Sequence, residues 1–367
     1  MNLCTVLRVA NIESKQKRFK KGSQMLDDLK YIHQKDSYDA LGIAQRQSEQ
    51  LTHEFTCSWQ PAAEIKTVVF VGMGGSALAG LLSTTWPGYS VPFEIVRGYE
   101  IPAYVNQNTL FIASSYSGNT EETLAALSEA ESQGAQVVVL AGGGKLAEIA
   151  QEKSYPYLEI PKVEQPRFAV FYALKAYVSI LNAAGLVSSE TEEALAKAGP
   201  MLAEATKLWG ADAPLQKNPA KQLAMELAGG SIVIYAGPKL FPAAYKWKIS
   251  FNENAKNVAW CNQYPEFNHN EFIGWSSHPV DKPYKVIDLR SNLEHERVQK
   301  RFTVSERLLS GQRPAPYVVE VQGDTELEQL LWAVTFGDFV SLYVALLNGL
   351  DPSPVDLIET FKKQLDE

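Results

Sequence analysis

The sequence predicts an α/β chain of two doubly wound domains, each a parallel sheet flanked by helices. Three observations carry that expectation. Short β-branched apolar runs alternate with helix-like stretches, the pattern of strand–helix–strand units. The whole alternation then occurs a second time in the same order. The chain has 367 residues, a length that two domains of ordinary size fill.

Taken in order, residues 1–24 are an N-terminal extension. Their basic run from Lys15 to Lys21 has no long apolar period and reads as a solvated tail. Residues 25–187 form the first domain. Two helical patches over 25–52 lead into KTVVFVG, whose unbroken apolar run reads as a buried parallel strand. The glycine-rich turn GMGGS then opens a helix. NTLFIAS is the next strand, SYSGNT a loop, and EETLAALSEAESQGA an amphipathic helix. QVVVLAG, the turn and helix of GGGKLAEIAQEK, and YPYLEIP continue the alternation, and PRFAVFYALKAYVSILNAAGL closes it as a long apolar helix. Residues 188–216 are polar and helical, a connector to the second domain at 217–367.

That second domain repeats the first. GSIVIYAGPKLFPAAYKW matches KTVVFVGMGGSALAGLL as strand, turn and helix. YKVIDLRSNLEHERVQKRF takes the place of NTLFIASSYSGNTEETL, and PYVVEVQG with its following apolar helix echoes PYLEIP and its helix. The copies differ where ligands of open α/β sheets bind, at the strand ends. SYSGNT becomes RSNLEH and GMGGS becomes AGPKL, so small, donor-rich loops survive only in the first copy.

Composition narrows the partners. Hydrophobic residues at 46% and charged residues at 21% are those of a globular protein. A formal charge of −8 argues against a nucleic-acid or anionic-membrane surface, so an anionic ligand needs a local site. The three scattered cysteines make neither a disulfide framework nor a zinc pair. No apolar run reaches the roughly 18 residues of a membrane span. Basic residues follow the short apolar start, the wrong order for a secretory signal. The expected setting is a reducing cytoplasm.

Two places concentrate chemistry. In SYSGNT, Ser115, Ser117 and Thr120 offer hydroxyls, Gly118 allows close backbone approach, and the following helix start favours a phosphate. A plain cap, with Asn119 and Glu122 as capping box, fits the same residues. Gly75 and Ser76 of GMGGS would wall the same cradle. AGGGKLAE lacks the order of a nucleotide-binding loop and reads as a turn. The second place is Lys248–Trp275, which holds Glu253, Glu266, His269 and Glu271 among six asparagines. Its bland reading is a polar helix end with Glu253 and Lys256 paired along the helix. His269 lies in NHNE, whose amides and carboxylate could orient the imidazole. Arg167, after Pro166, opens an apolar helix and could cap it or face the strand ends. None of the five histidines stands in a metal-binding pattern.

These residues together resemble a known family. GMGGS, SYSGNTEETL, PRFAVFYALK, FNENAK, PEFNHNEFIGW and the terminal DPSPVDLIETFKKQL are similar, in matching order over residues 25–365, to the bifunctional phosphoglucose/phosphomannose isomerases, built of two sugar-isomerase (SIS) domains. The resemblance implies an aldose–ketose isomerase acting on glucose, mannose and fructose 6-phosphates, without metal or cofactor. It assigns the base to Glu253, ring opening to His269, enediolate stabilisation to Arg167, and phosphate binding to Ser76, Ser115, Ser117 and Thr120. It also brings a C-terminal lysine to the site, Lys362 or its neighbour Lys363, and implies a homodimer whose partner supplies the histidine. Ser353 stands where the family often has threonine, a hydroxyl linked to tolerance of the mannose epimer. Leu81 replaces a frequent acidic residue. A non-catalytic sugar-phosphate sensor would keep SYSGNT and lose the base or the histidine; Glu253 and His269 are both present.

Overall fold

The computed structural model describes residues 22–277 and 283–365. Most of the N-terminal extension and His278 lie outside these residues. After a helical stretch at 22–26 come three short helices, α1 (Leu29–Lys35), α2 (Ala40–Gln45) and α3 (Gln47–Gln50). The first sheet has five strands, β1 (Thr67–Val71), β2 (Phe93–Val96), β3 (Thr109–Ser115), β4 (Gln136–Ala141) and β5 (Tyr157–Glu159). They are all parallel, in the order β2-β1-β3-β4-β5. Helices α4 (Leu78–Ser83), α5 (Glu121–Ser132), α6 (Gly144–Lys153) and α7 (Val170–Ala183) accompany it. Every residue of β3 is buried, as a central strand covered on both faces requires.

The long α8 (Ser189–Trp209) and α9 (Pro219–Leu227) lead to the second sheet. Its strands β6 (Ser231–Ala236), β7 (Ala259–Gln263), β8 (Tyr284–Arg290) and β9 (Tyr317–Glu320) are also parallel, ordered β7-β6-β8-β9. Helices α10 (Phe241–Glu253), α11 (Glu271–Gly274), α12 (Glu296–Leu308), α13 (Glu326–Leu347) and α14 (Asp356–Leu365) complete the chain. Both sheets are thus doubly wound and parallel.

The pattern reading missed β2 and β7, the edge strands on the same side of each sheet. Edge strands are short and half-exposed, so they lose the apolar run that marks central strands. The second sheet is also one strand shorter. β9 pairs directly with β8, so the strand–helix unit of β4 and α6 has no counterpart there.

One core serves both sheets. A single buried apolar cluster includes Phe70, Leu78 and Phe171 on one side and Ile234, Trp247 and Leu330 on the other. Helix α13 runs through it. It has 22 residues, and an 18-residue stretch of it, mean hydropathy 1.8, is long and apolar enough to cross a membrane, yet 94% of that stretch is buried inside the fold. Asp338 interrupts it and forms an ion pair with Lys246 of α10, both side chains fully buried. Gln47 and Ser250 donate to the same carboxylate.

Candidate functional site

The cradle forms where β3 ends. Ser115 Oγ lies 2.7 Å from Thr120 Oγ1 and 3.4 Å from Ser117 Oγ, and accepts from Gly118 N at 3.1 Å. Gly118 has φ +70°, and a Cβ there would fall 1.7 Å from Gly143 O; only glycine can hold this loop so close to its neighbour. That neighbour is the AGGGKLAE turn, which braces the loop: Lys145 N donates to Asn119 Oδ1 and Leu146 N to Gly118 O. Asn119 is therefore not the helix cap of the capping-box reading. Thr120 takes the N-cap position of α5, but its side chain makes no cap bond to the helix, leaving first-turn N–H groups uncapped by it, the arrangement that suits an anion.

The glycine-rich turn meets this loop directly. Tyr116 N donates to Ser76 Oγ at 2.9 Å and Ser114 Oγ to Ser76 O at 3.0 Å. Gly75 sits against the next turn, where a Cβ would come within 3.1 Å of Arg167 N. The absence of a side chain there lets the cradle pack against the 3-10 turn Pro166–Phe168.

Arg167 is not a surface cap. Its side chain is 1% exposed and pairs with Glu253, 24% exposed, at 3.0 Å. All five N–H donors of its fork find acceptors. Nε donates to Asn254 Oδ1 at 2.6 Å. Nη1 donates to Glu253 Oε2 and Gln165 Oε1, and Nη2 to the carbonyls of Pro352 and Ser353. Burial pushes the guanidinium below its usual range, opposed by Glu253. Asn254 is itself fixed, since its Nδ2 donates to Ser341 Oγ at 2.9 Å. Ser353 contributes its carbonyl; its hydroxyl is buried with no hydrogen-bond partner among the described residues.

The helical Glu253–Lys256 pair does not form. Helix α10 ends at Glu253, and Lys256 adopts φ +48°. Its Nζ donates to the carbonyls of Asn254, Asp351 and Pro352. The fold therefore brings Lys256 to Pro352, whose carbonyl Arg167 also uses. Lys362 pairs with Glu359 at 2.9 Å on α14, which buries no residue.

His269 is elsewhere. Helix α10 runs back along the sheet, so Glu253 lies at the N-terminal end of β7, where Asn257 Nδ2 reaches Gly230 O. His269 lies past the opposite end, where Tyr264 N reaches Ala236 O. The five residues of β7 separate them by roughly 13 Å of strand at about 3.3 Å per residue. The NHNE side chains do not orient the imidazole. Asn268 bonds Ser305 and Arg301, Asn270 bonds Glu266, and Glu271 bonds Tyr235 and Asn262. They tie the loop to its neighbours through side-chain bonds instead.

The second domain's corresponding junction is closed. Glu294, from the loop that replaces SYSGNT, accepts from Lys239 N in the AGPKL turn at 2.8 Å. The residue is 5% exposed, and burial raises its carboxyl above the usual range despite those backbone donors. A carboxylate of the chain itself thus sits on the backbone donors of this junction.

Comparison with known proteins agrees with this architecture. Residues 63–187 match the SIS domain and residues 216–365 the bacterial phospho-glucose isomerase C-terminal SIS domain. A bifunctional phosphoglucose/phosphomannose isomerase of Caldicellulosiruptor bescii is 33% identical over 310 residues, 83% of this chain and 91% of that one. A D-glucosamine-6-phosphate 4-epimerase of Sulfolobus acidocaldarius is 33% identical over 231 residues, 60% of this chain and 70% of that one. A glucose-6-phosphate isomerase like protein from Thermus thermophilus shares the fold, with TM-score 0.64 and 19% identity, over 92% of this chain and 98% of that one. On the first of these matches, 33% identity over 83% of this chain, the chain belongs to the bifunctional phosphoglucose/phosphomannose isomerase family.

Proposed function

We propose that the chain interconverts glucose 6-phosphate and mannose 6-phosphate with fructose 6-phosphate through an enediolate. The observation that carries this reading is the Glu253–Arg167 contact of 3.0 Å, made where a turn of the hydroxyl cradle packs on the Arg167 turn. Gly75, Ser76, Ser115, Ser117 and Thr120 hold the phosphate, which anchors the reacting carbons. The Glu253 carboxylate takes the proton from C2 of the open aldose as the C1 carbonyl becomes an oxyanion. The same carboxyl returns the proton to C1 as the C2 hydroxyl gives its own proton to the C1 oxyanion, leaving the C2 ketone and the C1 hydroxyl. Arg167 stabilises the intermediate charge through its Nη1 edge, since Nε and Nη2 are held by buried acceptors. Ser353 lies at the epimer-facing turn, and Lys362 reaches the site from α14 after giving up Glu359.

Ring opening falls to His269. Its separation from Glu253 along β7 supports a homodimer in which the partner copy supplies the imidazole. Cys57 and Cys261 are free thiols among the described residues, and a cytoplasmic setting is part of this proposal. A coupled assay with each 6-phosphate tests the proposal, with and without EDTA and with glucosamine 6-phosphate as control. Isomerisation of glucose 6-phosphate to fructose 6-phosphate, unaffected by EDTA, is the expected result. Turnover of the amino sugar alone would overturn it.

A further inference from the structure

We propose that Lys256 is a positioning residue for this isomerisation, its ammonium clamping the Asp351–Ser353 turn whose carbonyls hold Arg167 beside Glu253. The inference rests on the function proposed above. Lys256 Nζ donates to Asp351 O at 2.8 Å, Pro352 O at 3.0 Å and Asn254 O at 3.3 Å. Arg167 Nη2 donates to the same Pro352 O at 2.9 Å and to Ser353 O at 3.1 Å. Two cations therefore share one carbonyl, and the turn between them sets where the guanidinium fork points. The far side of the turn is fixed by Asp351, whose carboxylate accepts from Ser353 N and Ser37 Oγ. Lys256 reaches its carbonyls from a left-handed backbone conformation that costs a non-glycine residue strain, and such strain gathers at functional sites.

Three carbonyls need three N–H donors, which the ammonium has and the neutral amine lacks. Burial, with the like charge of Arg167 next, pushes Lys256 down to about 8; Asp351, Asp356 and Glu253 pull the other way. Deprotonation removes one donor and turns a lone pair toward carbonyl oxygen, so the clamp loosens and Arg167 loses its register. Stability moves oppositely. The folded value lies below the ordinary 10.5, so between the two the unfolded chain binds more protons. This lysine's contribution to stability therefore rises with pH over that window.

The test is kcat and KM for fructose 6-phosphate from about pH 6 to about pH 10 for the wild type, K256R and K256M, with melting temperatures over the same range. The wild type should lose kcat on an alkaline limb near pH 8 without a matching fall in melting temperature. K256R, which keeps a charge that does not titrate there, should retain kcat within about threefold at neutral pH and lack the limb. K256M should lower neutral kcat about tenfold or more with KM within about threefold. A K256R limb identical to the wild type's would overturn the clamp, even should K256M fail to fold. A wild type that isomerises no 6-phosphate would overturn the underlying function and the clamp with it.

Discussion

Glu253 and Arg167 reach each other across the two halves of the chain, and the residues that hold them there are as informative as the pair. Glu253 and Arg167 were legible as candidates, because each stands in a distinctive motif. Their fixings were not. Asn254 looked like one asparagine among six, and only the fold shows its two ends committed to Arg167 and Ser341. Lys256 had the spacing of a helical ion pair, and the helix stops before that spacing can act. Replacing Glu253 by glutamine keeps a polar side chain of the same shape and removes the proton carrier. E253Q should therefore lower kcat for every 6-phosphate by about 10²–10⁴-fold, the range of general acid–base catalysis, with KM changed by no more than a few-fold. A loss confined to KM would move the base to another residue.

Among the elements, β7 decides the geometry. Its sequence, AWCNQ, offers no apolar run and was unreadable as a strand, while the central strands β1, β3 and β6 announced themselves. Once β7 is in place, its length keeps Glu253 and His269 at opposite ends of one sheet. The neighbouring surface carries Val258, Trp260 and Ile273, 60%, 49% and 73% exposed. A site completed by a second copy has a direct consequence. E253Q and H269A, each inactive on the cyclic sugar, should regain activity when mixed under subunit exchange, because one site of each mixed dimer is intact. At full exchange, half of the dimers are mixed and each holds one working site, so about a quarter of wild-type activity is expected. A mixture as inactive as its parents, with exchange verified by mass, would return both groups to one chain.

At the scale of the whole molecule, the two sheets share one core, and the Lys246–Asp338 pair pins it at a point where Gln47 of the N-terminal helices also arrives. Asp338 gave no signal of its own in the sequence, lying inside an apolar helix. A fully buried ion pair is costly to break from one side. D338L should destabilise the fold by about 3–5 kcal/mol, and the K246M/D338L double variant should recover most of that loss. Denaturant midpoints read both, and a double variant as unstable as the single one would show that Gln47 and Ser250, rather than Lys246, depend on the carboxylate.

Glu294 extends the comparison of the two halves into ligand stoichiometry. A duplicated chain could carry two phosphate sites and show substrate activation, biphasic saturation or mixed inhibition. Here the second crevice is already satisfied by the chain's own carboxylate. Inorganic phosphate titrated by calorimetry should saturate at about one per chain and inhibit as a simple competitor of the sugar phosphate. A second equivalent would mean that the carboxylate yields its place. One equivalent of phosphate would mean that the two similar frames differ in ligand capacity as well as in sequence.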